Sequence, residues 1–421
     1  TLSVSSAASD VYKRQLPAFS VPASIMVIVF LITLTGGVSA RFDSAPDIAI
    51  LTGWMDSKNL FQNSASSSTG SSTALLGREM PMKRSHQCGG NVGNIGIERS
   101  PDTRRCQTTN PRRVGMHLVT GGAGFIGSHL VDALVSRGES VRVLDNLSSG
   151  RIEFLKHHSD RDVEVVVGDL LDLDLVSRSM AGVDVVHHLA ANPDIRLGIE
   201  VTDTDLKQGT LATYNVLEGM RKSGVSKISF SSSSAVYGEA NEMPTPESYG
   251  PTLPISLYGA SKLASEALIT AWAGTFGTRA WIHRFANIVG PRGTHGVIYD
   301  FIHKLRKDPT ALEVLGDGRQ EKSYMGVADT VEAMLHVIGL DHGGTALYNL
   351  GTHQTISVTK IAKIVIEAAG LQEAGITYTG GDRGWAGDVP KTWLNVDKLY
   401  SSGFQPEMNS EEAVRWCAES L

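Results

Sequence analysis

From Met116 to the C-terminus, short apolar runs alternate with longer stretches in which apolar residues recur every three or four positions. The runs His117–Thr120, Val163–Val167, Val183–Leu189, Ile228–Ser231 and Arg279–Phe285 are apolar on both faces, the pattern of strands buried in a parallel sheet. Between them, Phe125–Arg137, Thr213–Ser223 and Tyr258–Phe276 have helical period. Alternating strand and helix predict an α/β fold, a doubly wound parallel sheet with right-handed crossovers. After Asn287 the pattern breaks into Gly/Pro-rich turns and separate helices at Val297–Lys307, Thr359–Ala369 and Ser410–Glu419. These predict a smaller C-terminal lobe over 287–421, with Tyr324–Ile338 crossing back and 324–350 returning to the core.

Residues 1–115 follow no such pattern. An apolar run, Ile25–Leu34, follows Lys13 and Arg14 and leads to Val38-Ser39-Ala40, the layout of a secretory signal. It is shorter than the roughly 18 residues of a confident membrane span. Ser64–Thr73 is Ser/Thr-rich and the segment on to Gly115 is rich in Arg, Gly and Asn, so both read as disordered. The opening TLSVSSAASDVYKRQ resembles translated adapter remnants at the ends of gene models. Either the protein is anchored or exported, or 1–115 is an artefactual upstream extension of a start at Met116. The second account is favoured, because Met116 directly precedes the first strand. It carries the expectation of a cytoplasmic protein.

Composition narrows the class. Of 421 residues, 41% are hydrophobic and 19% charged, which suits a globular chain. A net charge of -6 without a basic block gives nucleic-acid binding no support. Cys88, Cys106 and Cys417 are too few for a disulfide framework, and no metal-ligand spacing is present, so no metal is expected.

Candidate chemistry begins at the first turn. Gly121, Gly124 and Gly127 follow a strand in the spacing G-x-x-G-x-x-G and open a helix, and Asp145 ends the second strand 18 residues beyond Gly127. This is the arrangement of a dinucleotide site: tight turn, close backbone approach to pyrophosphate, helix N-terminus at the phosphates, and a carboxylate for the adenosine ribose. A carboxylate there repels a 2′-phosphate, which favours NAD over NADP. Further on, Tyr258 and Lys262 stand four apart in SLYGASKLASEALI and share one helix face. Phenol is a poor base at its ordinary pKa of roughly 10. A neighbouring ammonium and a positive nicotinamide ring both favour the phenolate, so Tyr258 can take a proton from a sugar hydroxyl. Ser233, in the serine-rich turn of KISFSSSSAVYG, is placed to bridge the substrate oxygen and Tyr258.

The segments TGGAGFIGSHL, VVGDLLD, HHLAANPDIR, SSSSAVYGE, YGASK, RFANIVGPRGTHGVIYDFIHKL, EVLGDGRQEKSY and DRGWAGDV carry a family resemblance. The chain from Met116 onward resembles the extended short-chain dehydrogenase/reductases (the NAD-dependent epimerase/dehydratase family), and among them the UDP-glucose 4-epimerases of archaeal type. The resemblance implies a Rossmann-type NAD-binding domain over 116–286 and a substrate-binding lobe over 287–421. It makes Ser233, Tyr258 and Lys262 the catalytic set. It gives NAD contacts to Gly121, Gly124, Phe125, Ile126, Gly127, Asp145, Asn146, Ser148, Gly150, Asp169, Leu170, Leu189, Ala190, Ala191, Tyr258, Lys262 and Phe285, with Asp169 and Leu170 beside the adenine. For a UDP-sugar it implies Ser233, Asn287 at the pyrophosphate, Lys322 and Arg383 as cations near the phosphates, and Asp388 toward the ribose or uracil. It further implies a homodimer built on two helices per subunit.

Within this family, 4,6-dehydratases carry an Asp-Glu pair before V-Y-G, and UDP-glucuronate decarboxylases usually keep the glutamate. Ser234 and Ala235 stand here instead, which disfavours elimination and leaves epimerisation at C4 through a 4-keto sugar. UDP-glucuronate 4-epimerase is the nearest rival, and a non-catalytic NAD-binding sensor is the reading outside enzymology. Thr392 lies near the position that limits room beside the sugar C2 substituent. Gly209 stands where relatives usually have asparagine.

Overall fold

The computed structural model describes residues 115–385 and 387–421; the apolar run 25–34 and the readings made on 1–114 lie outside them. The chain enters β1 (Met116–Thr120), turns through the glycines into α1 (Phe125–Ser136) and returns as β2 (Ser140–Asp145). Next come β3 (Val163–Val167), α2 (Leu173–Ser179), β4 (Val185–His188) and a single turn, α3 (Leu197–Glu200). A π-helical turn, Leu206–Leu211, runs into α4 (Ala212–Ser223), ahead of β5 (Lys227–Ser233), α5 (Leu257–Phe276) and β6 (Arg279–Phe285). Beyond it lie β7 (Asn287–Val289), α6 (Val297–Lys307), β8 (Ala311–Val314), β9 (Glu321–Lys322), β10 (Tyr324–Gly326) and α7 (Val327–Ile338). The chain ends with β11 (Thr345–Leu350), β12 (Ile356–Ser357), α8 (Val358–Ala368), β13 (Gly375–Tyr378), β14 (Lys391–Thr392), α9 (Asp397–Ser401) and α10 (Ser410–Ser420).

Seven strands form one parallel sheet in the order β11-β6-β5-β4-β1-β2-β3. The chain winds outward from β1 through β2 to β3, then crosses over to β4 and winds the other way. This is the Rossmann-type, doubly wound α/β fold. It leaves a crevice between β1 and β4, at the carboxyl ends of the strands, where ligands of such sheets bind.

Successive strand residues point to opposite faces, and both faces are covered. Val119, Val143 and Trp281 pack on one side with Leu130, Val131 and Leu134 of α1 and Val331, Met334 and Val337 of α7. Leu118, Leu144 and Ile282 pack on the other with Val216, Leu217 and Met220 of α4 and Ile269 of α5. Helix α5 has clear stops: the Ser256 hydroxyl accepts from Gly259 N at its start, and Gly277, in the left-handed region at φ 73°, ends it.

A separate apolar cluster joins Ile298, Phe301 and Leu305 of α6 to Leu312, Val314, Ile361, Val365 and Val414. Small strand pairs hold this part together: β7 beside β10, β8 beside β13, and β9 between β12 and β14. None of the helices among the described residues is long and apolar enough to cross a membrane.

Candidate active site

The glycine turn is shaped by contact. Gly121 has φ +70°, and a Cβ on it would stand 2.7 Å from Ala190 N at the end of β4. A Cβ on Gly127 would stand 2.1 Å from Gly121 O, so α1 packs directly onto the turn. Gly124 caps α1 without a side-chain hydrogen bond, and the first turn carries no acidic residue. The N–H groups of that turn, which a helix cannot satisfy internally, are thus left for an anion. Asp145 is buried, and its carboxylate accepts from Ala123 N at 3.0 Å and Leu147 N at 2.8 Å, tying the end of β2 to the turn. Gly150 lies against the same carboxylate, where a Cβ would stand 2.8 Å from Oδ1. These residues fit the diphosphate and ribose of a dinucleotide.

The cofactor residues expected at later strand ends gather on the same edge. Asp169 accepts from Leu171 N at 2.9 Å, Asn146 Nδ2 at 3.1 Å and Gln208 Nε2 at 3.3 Å. Burial opposes its ionisation, yet these donors together hold its carboxyl below the ordinary value. Asn146 also accepts from Ser148 N, which shapes the loop after β2. Leu170 and Phe285 are buried, while Leu189, Ala190 and Ala191 are half-buried around the β4 end.

Ser233 ends β5, and its hydroxyl, which accepts from Ala235 N at 3.2 Å, lies beside the Tyr258 phenol. Tyr258 lies in the first turn of α5, half-buried. Lys262, one turn on, is 3% exposed; its Nζ donates to Ser231 O at 2.6 Å and lies 5.7 Å from the centre of the Tyr258 ring. Burial pushes the Tyr258 phenol up to about 12, the Ser233 hydrogen bond pulls it back, and the charge of Asp205 adds to the rise. Burial pulls the Lys262 ammonium down to about 8, against Asp205 and Glu266, which hold it up. Proximity of phenol and ammonium on one helix face therefore does not by itself depress the phenol. Loss of hydration is the largest effect on the phenol, and the Lys262 Nζ is turned to the β5 carbonyl.

Three groups around this pair were not legible in the sequence. His188, at the end of β4, is fully buried between Thr120 Oγ1 at 2.7 Å and Thr213 Oγ1 at 3.0 Å. It joins the glycine turn to α4, and Thr213 passes the chain on to Ser265 of α5 at 3.0 Å. Glu266 of α5 pairs with Arg284 of β6 at 2.7 Å and also takes the Ser232 hydroxyl, which fixes the strand end carrying Ser233. Asp205, 2% exposed, accepts from Asn192 Nδ2 at 3.2 Å through Oδ1. A buried His, Glu or Asp amid apolar residues is the one signal the sequence offered for them.

The expected substrate residues meet near the short strands. Asn287 Nδ2 donates to Ser323 O at 3.3 Å, and Ser323 N to Thr392 O at 3.1 Å, so Asn287, Lys322 and Thr392 are neighbours. Lys322 Nζ pairs with Asp388 Oδ1 at 2.5 Å. Arg383 donates to Asp388 O at 2.8 Å and pairs with Glu239, the residue after Val236-Tyr237-Gly238. The two cations thus converge, each held by an acidic or carbonyl partner, and Asp388 serves both.

Elsewhere, Asp132, His157 and His158 bring three metal-type ligand atoms within 4.8 Å of one another. Both imidazoles share Asp132 Oδ1, and Arg292 pairs with Oδ2 at 2.9 Å, so the cluster's charge is already balanced.

Comparison with known proteins adds independent findings. Residues 117–351 match the NAD dependent epimerase/dehydratase family. A Methanocaldococcus jannaschii protein provisionally named a UDP-glucose 4-epimerase is 35% identical over 306 residues, covering 71% of this chain and 96% of that protein. The structure of a UDP-galactose 4-epimerase is 44% identical, with a TM-score of 0.65, covering 72% of this chain and 98% of the other. A UDP-glucose 4-epimerase of Thermotoga maritima, solved with UDP-glucose, is 32% identical with a TM-score of 0.66 and the same coverage.

Proposed function

The chain belongs to the NAD dependent epimerase/dehydratase family, and from that premise we propose that it interconverts UDP-glucose and UDP-galactose by inverting C4. The observation that carries this reading is the Ser233–Tyr258–Lys262 set at the end of β5, in the sheet whose β1 leads into the glycine turn, with no second acid or base at Ser234 or Ala235. Such a site oxidises and reduces a carbinol carbon but lacks the extra proton transfer that elimination needs.

The residues divide the work as follows. Gly121, Gly124 and Gly127 with the start of α1 hold the cofactor diphosphate, and Asp145 the ribose. When bound, NAD takes up and returns the hydride and brings a positive ring charge that lowers the Tyr258 phenol from its position near 12. Lys262, near 8, carries its charge at neutral pH and supports the phenolate. Tyr258 accepts the C4 hydroxyl proton through the contact that Ser233 helps to orient, and returns it after the 4-keto sugar has turned over in the cleft. Residues 116–286 thus serve the cofactor and 287–421 mainly the substrate, with 324–350 returning to the core. Asn287, Lys322 and Arg383 take the diphosphate. Because both cations are already paired with Asp388 or Glu239, binding exchanges one anion for another and keeps the cations ordered beforehand.

Leu206, Leu211, Tyr214 and Phe276 are large apolar side chains left exposed on the π turn, α4 and α5. Tyr214 and Phe276 both lean on Trp272, forming one aromatic patch. We assign this face to a homodimer contact. Light scattering should give twice the chain mass, and Leu211→Glu with Phe276→Glu should give a monomer; a wild-type monomer at micromolar concentration would count against the assignment. Since NAD and nucleotide sugars are cytosolic metabolites, the proposed site of action is the cytoplasm.

Incubation with UDP-galactose, with and without added NAD, and chromatography of the C4 epimers tests the function. Formation of UDP-glucose supports it. Turnover of UDP-glucuronate alone would move the assignment to that 4-epimerase, and NAD binding without turnover would favour a sensor.

A further inference from the structure

The π turn Leu206–Leu211 lies against α5 at the level of the catalytic residues and approaches it most closely at its central glycine. A Cβ on Gly209 would stand 1.9 Å from Ser261 Oγ, one residue before Lys262. The polar group this segment offers the site is instead Asp205, four residues earlier. Its side chain is enclosed: the residue is 2% exposed, and a Cβ on Gly198 of α3 would stand 2.7 Å from Oδ2. Oδ1 has Asn192, whereas Oδ2 has no hydrogen-bond partner among the described residues. A buried carboxylate oxygen without a donor is costly unless a charge nearby compensates it. Burial raises the Asp205 carboxyl, and the Asn192 hydrogen bond and the charge of Lys262 draw it back, so Lys262 is that charge. Its own hydrogen bond goes to a neutral carbonyl, Ser231 O, and the other acid near it, Glu266, is already committed to Arg284 and Ser232.

We propose that Asp205 is a positioning residue of this active site, the buried counter-charge that keeps the Lys262 ammonium in place beside Tyr258. The proposal rests on the epimerase reading. The groups facing Asp205 are Asn192 from the loop after β4, Gly198 of α3, and Tyr258 and Lys262 of α5; Lys262 additionally faces Glu266 and His188. One negative charge acts on both members of the pair in the same sense, supporting the ammonium and opposing the phenolate. Its removal therefore shifts both titrations to lower pH.

Asp205→Asn keeps the shape and can still accept from Asn192. In the pH profile of kcat for UDP-galactose, both limbs should move acidward by about half to one unit. At pH 8, kcat should fall about two- to fivefold while KM stays within about twofold, as expected for an effect on chemistry and not on binding. A purely structural role would lower the whole profile without moving its limbs, and that result would overturn the proposal. A readout independent of substrate is the tyrosinate absorbance of the NAD-loaded protein, taken as the difference from the same protein carrying Tyr258→Phe. The Tyr258 step should move to lower pH in Asp205→Asn, and an unmoved step overturns the proposal even if UDP-galactose proves not to be the substrate. Should Asp205→Asn not fold, Asp205→Ser removes the same charge and carries the same measurements.

Discussion

At the scale of single residues, the site depends on where protons sit. On the proposed mechanism Tyr258 exchanges one with a sugar hydroxyl; replacing it by Phe removes the phenol that meets Ser233 and keeps the ring beside Lys262. Tyr258→Phe should lower kcat by roughly 10²–10⁴-fold while NAD binding is unchanged. Single-turnover kinetics and NAD titration check this, and near-normal turnover would remove Tyr258 from the chemistry. The glycines, Asp145, Tyr258 and Lys262 were legible because each belongs to a local motif, a turn or an i, i+4 pair. Asp205 was not: it meets Asn192 across 13 residues and acts on a pair more than 50 positions away. For Lys322 and Arg383 the sign of the charge was legible, whereas their partners Asp388 and Glu239 lie 66 and 144 positions distant.

At the scale of elements, α5 is the unit that turns fold into site. Ser256 caps its start, Tyr258 and Lys262 face β5, and Glu266 reaches Arg284 and Ser232. Both side chains of the Glu266–Arg284 pair are 7% exposed, so removing one partner strands a buried charge. Glu266→Gln should therefore cost about 3–5 kcal/mol of stability and loosen the end of β5. Urea unfolding tests it; a loss below 1 kcal/mol would mean that the pair is solvated in practice. The periodicity located α5 to within one residue and α4 likewise, because long amphipathic helices announce themselves. It did not anticipate the π turn ahead of α4. The i→i+5 geometry there follows the close approach of Gly209 to Ser261, a tertiary contact without a periodic signature.

At the scale of the whole molecule, the sheet buries neutral histidines. Burial holds His188 and His283 down to about 3, so both are uncharged when folded, whereas an exposed histidine titrates near 6.5. The unfolded chain binds these protons first, so stability is full above about pH 6.5 and declines as pH falls toward 3. Each group costs about 1.4 kcal/mol per pH unit, or roughly 4 kcal/mol for the two at pH 5. Urea midpoints at pH 7 and pH 5 check the sign, and equal midpoints would show that the histidines protonate while folded. The sequence by itself determined the alternation of strand and helix, the doubly wound class, the dinucleotide turn and the Tyr258–Lys262 spacing, since hydrophobic period and near-neighbour geometry specify all four. Only the tertiary structure decided how the site is charged. Which carboxylate faces Lys262, which cations converge on Asp388 and whether a phenol is raised or lowered depend on burial and on partners distant in the chain. Those are properties of the packed molecule and not of any segment of it.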